Sequence, residues 1–149
     1  MAKLNEQTML SMRRLLASLA VMSQKTQTYH WDLTGLTFLS LHEHLGEVYE
    51  AISSHTDEVA ERIRQLGEPT KMTLSYATTN SVVEDNNPAS AEKDIITDMM
   101  TAFTNLYALQ LEILMASDEQ NDPVTVDLMT KLCAWAEKEN WFFNSMLSM

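Results

Sequence analysis

Four side chains in this 149-residue sequence could together hold a divalent cation. His30 lies at the end of one periodic helical run and His42 near the start of the next, while Asp57 and Glu61 stand at i and i+4 further along that second run. Imidazole nitrogen and carboxylate oxygen suit Fe(II) or Zn(II). Spacing restricts how these groups can meet. His42 and Asp57 are fifteen residues apart, which on one helix is about 22 Å at about 1.5 Å per residue. They cannot share an ion within one chain. If all four are ligands, the histidines of one subunit face the acids of another across a two-fold axis, with two identical sites per dimer. The plainer reading has Asp57 and Glu61 on a solvated helix face, Glu58 pairing with Arg62, and His30 packing between Tyr29 and Trp31.

The elements that must position these groups are helical. Apolar residues recur at helical spacing from Leu4 through Leu10, Leu15, Leu16, Leu19 and Met22 until the break at Leu33-Thr34-Gly35. A second run carries Leu36, Leu39, Leu45, Val48, Tyr49, Ile52, Val59, Ile63 and Leu66 and stops at Gly67 with Pro69 just beyond. From Pro69 to Ala89 the pattern weakens into a crossover link with room for one short helix around Thr73 to Thr78. A third run begins at Ser90, read as its N-cap, and fades at Ser117-Asp118-Glu119. The fourth follows Asp122-Pro123, with Leu128, Leu132, Trp135, Trp141, Phe142 and Leu147 as its buried stripe.

Short loops join antiparallel neighbours, whereas a link as long as the one between the second and third helices can cross the whole bundle. The fold class expected is therefore all-α, a ferritin-like four-helix bundle with one long crossover, forming a single domain over residues 1–149. Metal-binding bundles of this kind commonly carry Glu-x-x-His pairs. None occurs here.

Composition agrees with helices, because only three Gly and three Pro interrupt the chain, too few for the turns of an all-β fold. The eleven Met, among them Met9, Met22, Met99 and Met129, fall mostly on apolar stripes and read as core filling. A lone Cys133 in an apolar pattern reads as a small buried side chain in a reducing compartment. A net charge of -11 works against direct contact with DNA or an anionic membrane and favours cations. With no segment approaching a membrane span, a soluble, cytoplasmic protein is expected.

The stretch Tyr29-His30-Trp31 with Gly35 and Phe38, then Leu41-His42-Glu43, then Asp57 with Ala60-Glu61-Arg62-Ile63 and Leu66-Gly67, resembles the signature of the Dps family of mini-ferritins. Asp127-Leu128, Glu137-Lys138 and Trp141 extend the resemblance through the last helix. It implies a dodecameric shell with ferroxidase sites at the two-fold interfaces, where Fe(II) is oxidised, preferentially by hydrogen peroxide, and stored as ferric mineral, which protects against oxidative damage. By the same resemblance His30 of one subunit, with Asp57 and Glu61 of its partner, forms the tighter iron site, and these three carry the catalysis. His42 belongs to a second, weaker iron position, whose family aspartate one turn later is replaced here by Gly46. His44 and Glu47 cannot substitute without distortion, being turned by about 200° and about 100° from position 46.

Trp31 is a candidate radical trap, with packing at a dimer interface as the alternative. Asp118, Asp122 and Asp127 are candidates for an acidic pore admitting iron, and helix capping and first-turn charge explain them equally well. The Lys-rich tail that several family members use to bind DNA has no counterpart here beyond Lys3. The competing reading is a Dps-fold shell, structural or DNA-associating, whose ferroxidase activity is weakened or lost through Gly46.

Overall fold

The computed structural model describes residues 1–147, and in it the chain folds as five helices, α1 (Glu6–Asp32), α2 (Phe38–Gln65), α3 (Leu74–Asn80), α4 (Glu92–Glu119) and α5 (Pro123–Leu147). The four long helices form the bundle, in which α1 packs chiefly on α2 and α4 on α5. The short α3 lies within the crossover and packs on α1. This is the all-α arrangement the periodicity predicts.

Local chemistry sets the helix ends. The Asn5 side chain accepts from the Thr8 amide at 2.9 Å and caps α1. After Asp32 the chain turns through Gly35 at φ +137°, where a side chain would collide with Glu92. That closeness lets Glu92 Oε1 accept the Thr37 amide at 2.6 Å, tying the α1–α2 corner to the start of α4. Gly67, at φ +90°, ends α2 in the left-handed region that glycine adopts at least cost.

Met12, Leu15, Leu19, Met22, Leu45, Ile52, Ile63, Phe103, Leu106, Met129, Leu132 and Phe143 are fully buried between the long helices. The crossover is fastened to α1 by polar contacts. Ser18 Oγ accepts the Val82 amide at 2.9 Å, and the buried Lys25 ammonium donates to Asn86 at 2.8 Å and to Asp98 at 2.6 Å. Tyr29 also donates to Asp98, at 2.6 Å. A buried ammonium is tolerated here because a carboxylate and an amide oxygen replace its lost water.

Four expectations need correction. The N-cap of α4 is Ala91 rather than Ser90, because the Ser90 carbonyl accepts the Thr34 amide at 3.2 Å and the helix begins one residue later. Trp141, expected in the buried stripe of α5, is 62% exposed, and the apolar side of that helix runs through Met129, Leu132, Cys133, Ala136 and Phe143. Leu36 and Leu39, counted with the apolar run of α2, are exposed. Glu58 pairs with Lys131 of α5 at 2.7 Å rather than with Arg62. Cys133 is buried, and burial, with Glu137 nearby, pushes its thiol up to about 11, so it stays an unreactive thiol. Among the described residues no helix is long and apolar enough to cross a membrane.

Candidate metal centre

At the corner where α1 turns into α2, His30 and His42 grip each other. His30 Nδ1 lies 2.6 Å from the His42 carbonyl oxygen and His42 Nδ1 2.7 Å from that of His30. A carbonyl only accepts, so each Nδ1 carries a proton, and Nε2 is the nitrogen each ring can offer to a cation. Backbone bonds of this type fix the tautomer and orientation of metal-binding imidazoles. The rings stack at 3.7 Å between centroids and 11° between planes.

Two aromatic rings hold the stack. Phe38 lies against His42 with centroids 4.9 Å apart, and Tyr49 meets His30 edge-on at 5.5 Å. The periodicity places Tyr49 in the apolar run of α2 and not beside the histidines. It lies seven residues after His42, two turns along the same face, and that spacing was the available signal.

Asp57 and Glu61 are both exposed and, among the described residues, form no hydrogen bond or ion pair. Asp57 borders an open groove of about 740 Å³ lined by small residues of α1 and α2, including Ala20, Ser23, Ser53 and Ala60. No cluster of three His, Cys, Asp or Glu able to hold a metal forms within the described part of one chain. Within the described residues the histidines and the acids thus form no common cluster, as the spacing of His42 and Asp57 requires. Trp31, beside His30, is 62% exposed.

Position 46 is glycine, and neither neighbour fills the gap. His44 points to the other side of α2, where its Nε2 bonds Glu139 at 2.8 Å and its ring meets Phe142 and Phe143 edge-on. That bond, outweighing burial, raises the pKa of His44 above the usual imidazole value. Glu47 stays largely in solvent, 3.8 Å from His44 Nδ1.

Of the three carboxylates considered for a pore, Asp118 and Asp127 are exposed and Asp122 is fully buried. Asp122 caps α5 by accepting the Thr125 amide at 3.1 Å and the Thr125 hydroxyl, and both its oxygens receive Arg62 Nη2, at 2.9 and 3.1 Å. Burial opposes its ionisation, but Thr125 and Arg62 prevail and hold the carboxyl below its usual value. Asp122 thus takes the capping role.

The ferritin-like domain family matches residues 10–149. A DNA protection during starvation protein of Porphyromonas gingivalis is 32% identical over 134 residues, covering 88% of this chain and 82% of that protein. Dps from Staphylococcus aureus shares the fold with a TM-score of 0.93 and 26% identity over 99% of each chain. Dps from Vibrio cholerae, a member of a broad superfamily of ferritin-like diiron-carboxylate proteins, matches with a TM-score of 0.92 and 26% identity over 99% of this chain and 98% of that one. By its helical order and these likenesses, this chain belongs to the Dps family of ferritin-like proteins.

Proposed function

We propose that the protein is an iron-sequestering mini-ferritin: a homo-oligomeric hollow shell, a dodecamer, that takes up Fe(II) at inter-subunit sites, oxidises it with hydrogen peroxide and stores ferric mineral. The observation that carries this reading is the preformed His30–His42 pair, in which each ring can offer its Nε2, on a chain whose complementary carboxylates, Asp57 and Glu61, stand exposed elsewhere on α2. A second copy across a two-fold axis supplies what each half lacks. Neutral imidazole and carboxylate oxygen form a donor set suited to Fe(II) as substrate.

In the oxidation, two Fe(II) lose one electron each to one hydrogen peroxide, which takes up two protons and leaves as two waters. His30 binds the iron through Nε2, with its ring held by the His42 carbonyl, while Asp57 and Glu61 of the second copy balance the charge. Trp31 lies next to the site as a sacrificial donor for stray oxidising equivalents. Asp118 and Asp127 are exposed toward the α4–α5 corner and suit an acidic path for the cation. The net charge of -11 on every chain opposes direct DNA binding, so protection comes through iron and peroxide consumption.

A second reading, a shell with weakened oxidation, draws on Gly46, which leaves the His42 position without a carboxylate from its own helix. Anaerobic Fe(II) titration of the mass-defined assembly, followed by peroxide, tests both. Saturable binding at one or more Fe(II) per chain, with fast oxidation lost in the His30→Ala plus Glu61→Ala variant, is expected. A dodecamer that binds and oxidises no iron contradicts the proposal and favours the second reading.

A further inference from the structure

We propose that the core of the bundle holds bound water between the Gln110 amide on α4 and the Trp135 indole on α5. The inference stands apart from the iron site.

It begins with an exception in the sequence. Along the core face of α4, Met99, Phe103, Leu106, Gln110 and Ile113 follow one another at spacings of four and three, and Gln110 is the one amide in that apolar row. It is fully buried like its neighbours. Buried polar groups in folded proteins nearly always have a hydrogen-bond partner, because leaving one unmet forfeits the solvation it had in water. Among the described residues, neither Oε1 nor Nε2 of Gln110 meets a donor or acceptor of the protein. The buried Nε1 of Trp135 is unanswered in the same way.

The two orphans are neighbours. The Tyr107 hydroxyl donates to the Glu137 carboxylate, and Asn140 Nδ2 donates to Thr104 Oγ1 at 3.3 Å. Three residues forward on α4 thus match three back on α5. This antiparallel register sets Gln110 level with Ala134 and beside Trp135. The indole is held on both sides, by His55 of α2, edge-on at 4.6 Å, and by Phe103 of α4 at 5.0 Å. An indole N–H only donates and an amide oxygen only accepts, so the two groups suit each other, yet they make no direct bond. Water answers both. One molecule accepts from Trp135 Nε1 and donates to Gln110 Oε1, and a second, bonded to the first, accepts from Gln110 Nε2. Buried waters typically occupy such polar spots, making about three hydrogen bonds each. The bridge ties α5 to α4 at the level where His55 of α2 packs on the indole.

The test is a crystal structure of the assembled wild-type protein, at a resolution that shows ordered water, beside that of Gln110→Met, which keeps the side chain long and removes its polar atoms. In the wild type a density peak is expected within about 3 Å of both Trp135 Nε1 and the Gln110 amide in every independent copy. In Gln110→Met the peak should vanish. The Tm of that variant, at fixed subunit concentration, should fall, because an ordered water displaced by a group that cannot reproduce its hydrogen bonds leaves the indole unmet. If the amide were dry, removing it would raise the Tm instead.

No bridging peak in the wild type, a protein partner for either group, a peak on Trp135 that survives in Gln110→Met, or an unchanged or higher Tm would overturn the inference. Should the variant fail to fold, the wild-type density decides by itself.

Discussion

Removing Arg62 should destabilise the fold strongly, because it orphans a buried carboxylate. Asp122 is fully buried, and Arg62, with only 12% of its side chain exposed, supplies the one positive charge that touches it. Breaking a buried pair by removing one partner costs about 3–5 kcal/mol, because the remaining charge is left uncompensated. Thr125 still donates its amide and hydroxyl to Asp122, so Arg62→Ala belongs at the low end, about 3 kcal/mol. The double variant Arg62→Ala plus Asp122→Ala should cost less than the two single changes added, since the orphaned charge is gone. Urea unfolding followed by circular dichroism, at fixed subunit concentration because assembly contributes to stability, reads these values. Because the Asp122 carboxyl is held below its usual pKa, its contribution is complete above the ordinary carboxylate value and fades as pH falls through the lowered one. The penalty for Arg62→Ala should therefore shrink in acid. A loss under about 1 kcal/mol at neutral pH, or strict additivity, would refute the reasoning.

Tyr29→Phe removes a buried hydroxyl from Asp98, which keeps Lys25, so a loss of about 1 kcal/mol is expected in the same assay, with anaerobic Fe(II) binding unchanged. In an NMR titration His44 should titrate above the ordinary imidazole value of 6.5, through its bond to Glu139, and His55 below it, through burial against Trp135. The reverse order would contradict the assigned contacts. The stabilisation from His44 is complete below 6.5 and fades as pH rises through its raised value, so Glu139→Gln should flatten the dependence of Tm on pH above 6.5. His55 acts oppositely, since its lowered pKa withdraws stability as pH falls below 6.5.

The helical order was legible because it rests on local signals: three-and-four spacing, the Gly67 and Pro69 stop, and a weak stretch that holds only α3. Separation of His42 from Asp57 was equally legible, since helix rise alone keeps them apart. What escaped depends on partners distant in sequence. Ser90 looked like a cap, but its carbonyl serves Thr34, more than fifty residues earlier. Arg62 looked like the local partner of Glu58, but α5 brings Lys131 to one and Asp122 to the other. Residue type alone makes Trp141 a core candidate, yet Phe143 takes the buried place and leaves the indole outside. Gly46 reads in the sequence as a missing ligand, whereas the closeness of His30, 3.2 Å from where a Cβ would stand, belongs to the fold of the α1–α2 pair.

The central claim is that histidines and acids from different subunits complete one site, and mixing tests it directly. Shells reassembled from equal amounts of a His30→Ala chain and an Asp57→Ala plus Glu61→Ala chain should recover about a quarter of the wild-type Fe(II) sites, since random pairing reunites an intact half with an intact half that often. Each variant alone should have none. Recovery of that fraction on mixing is the predicted result, and no recovery in shells shown to contain both chains would contradict the account.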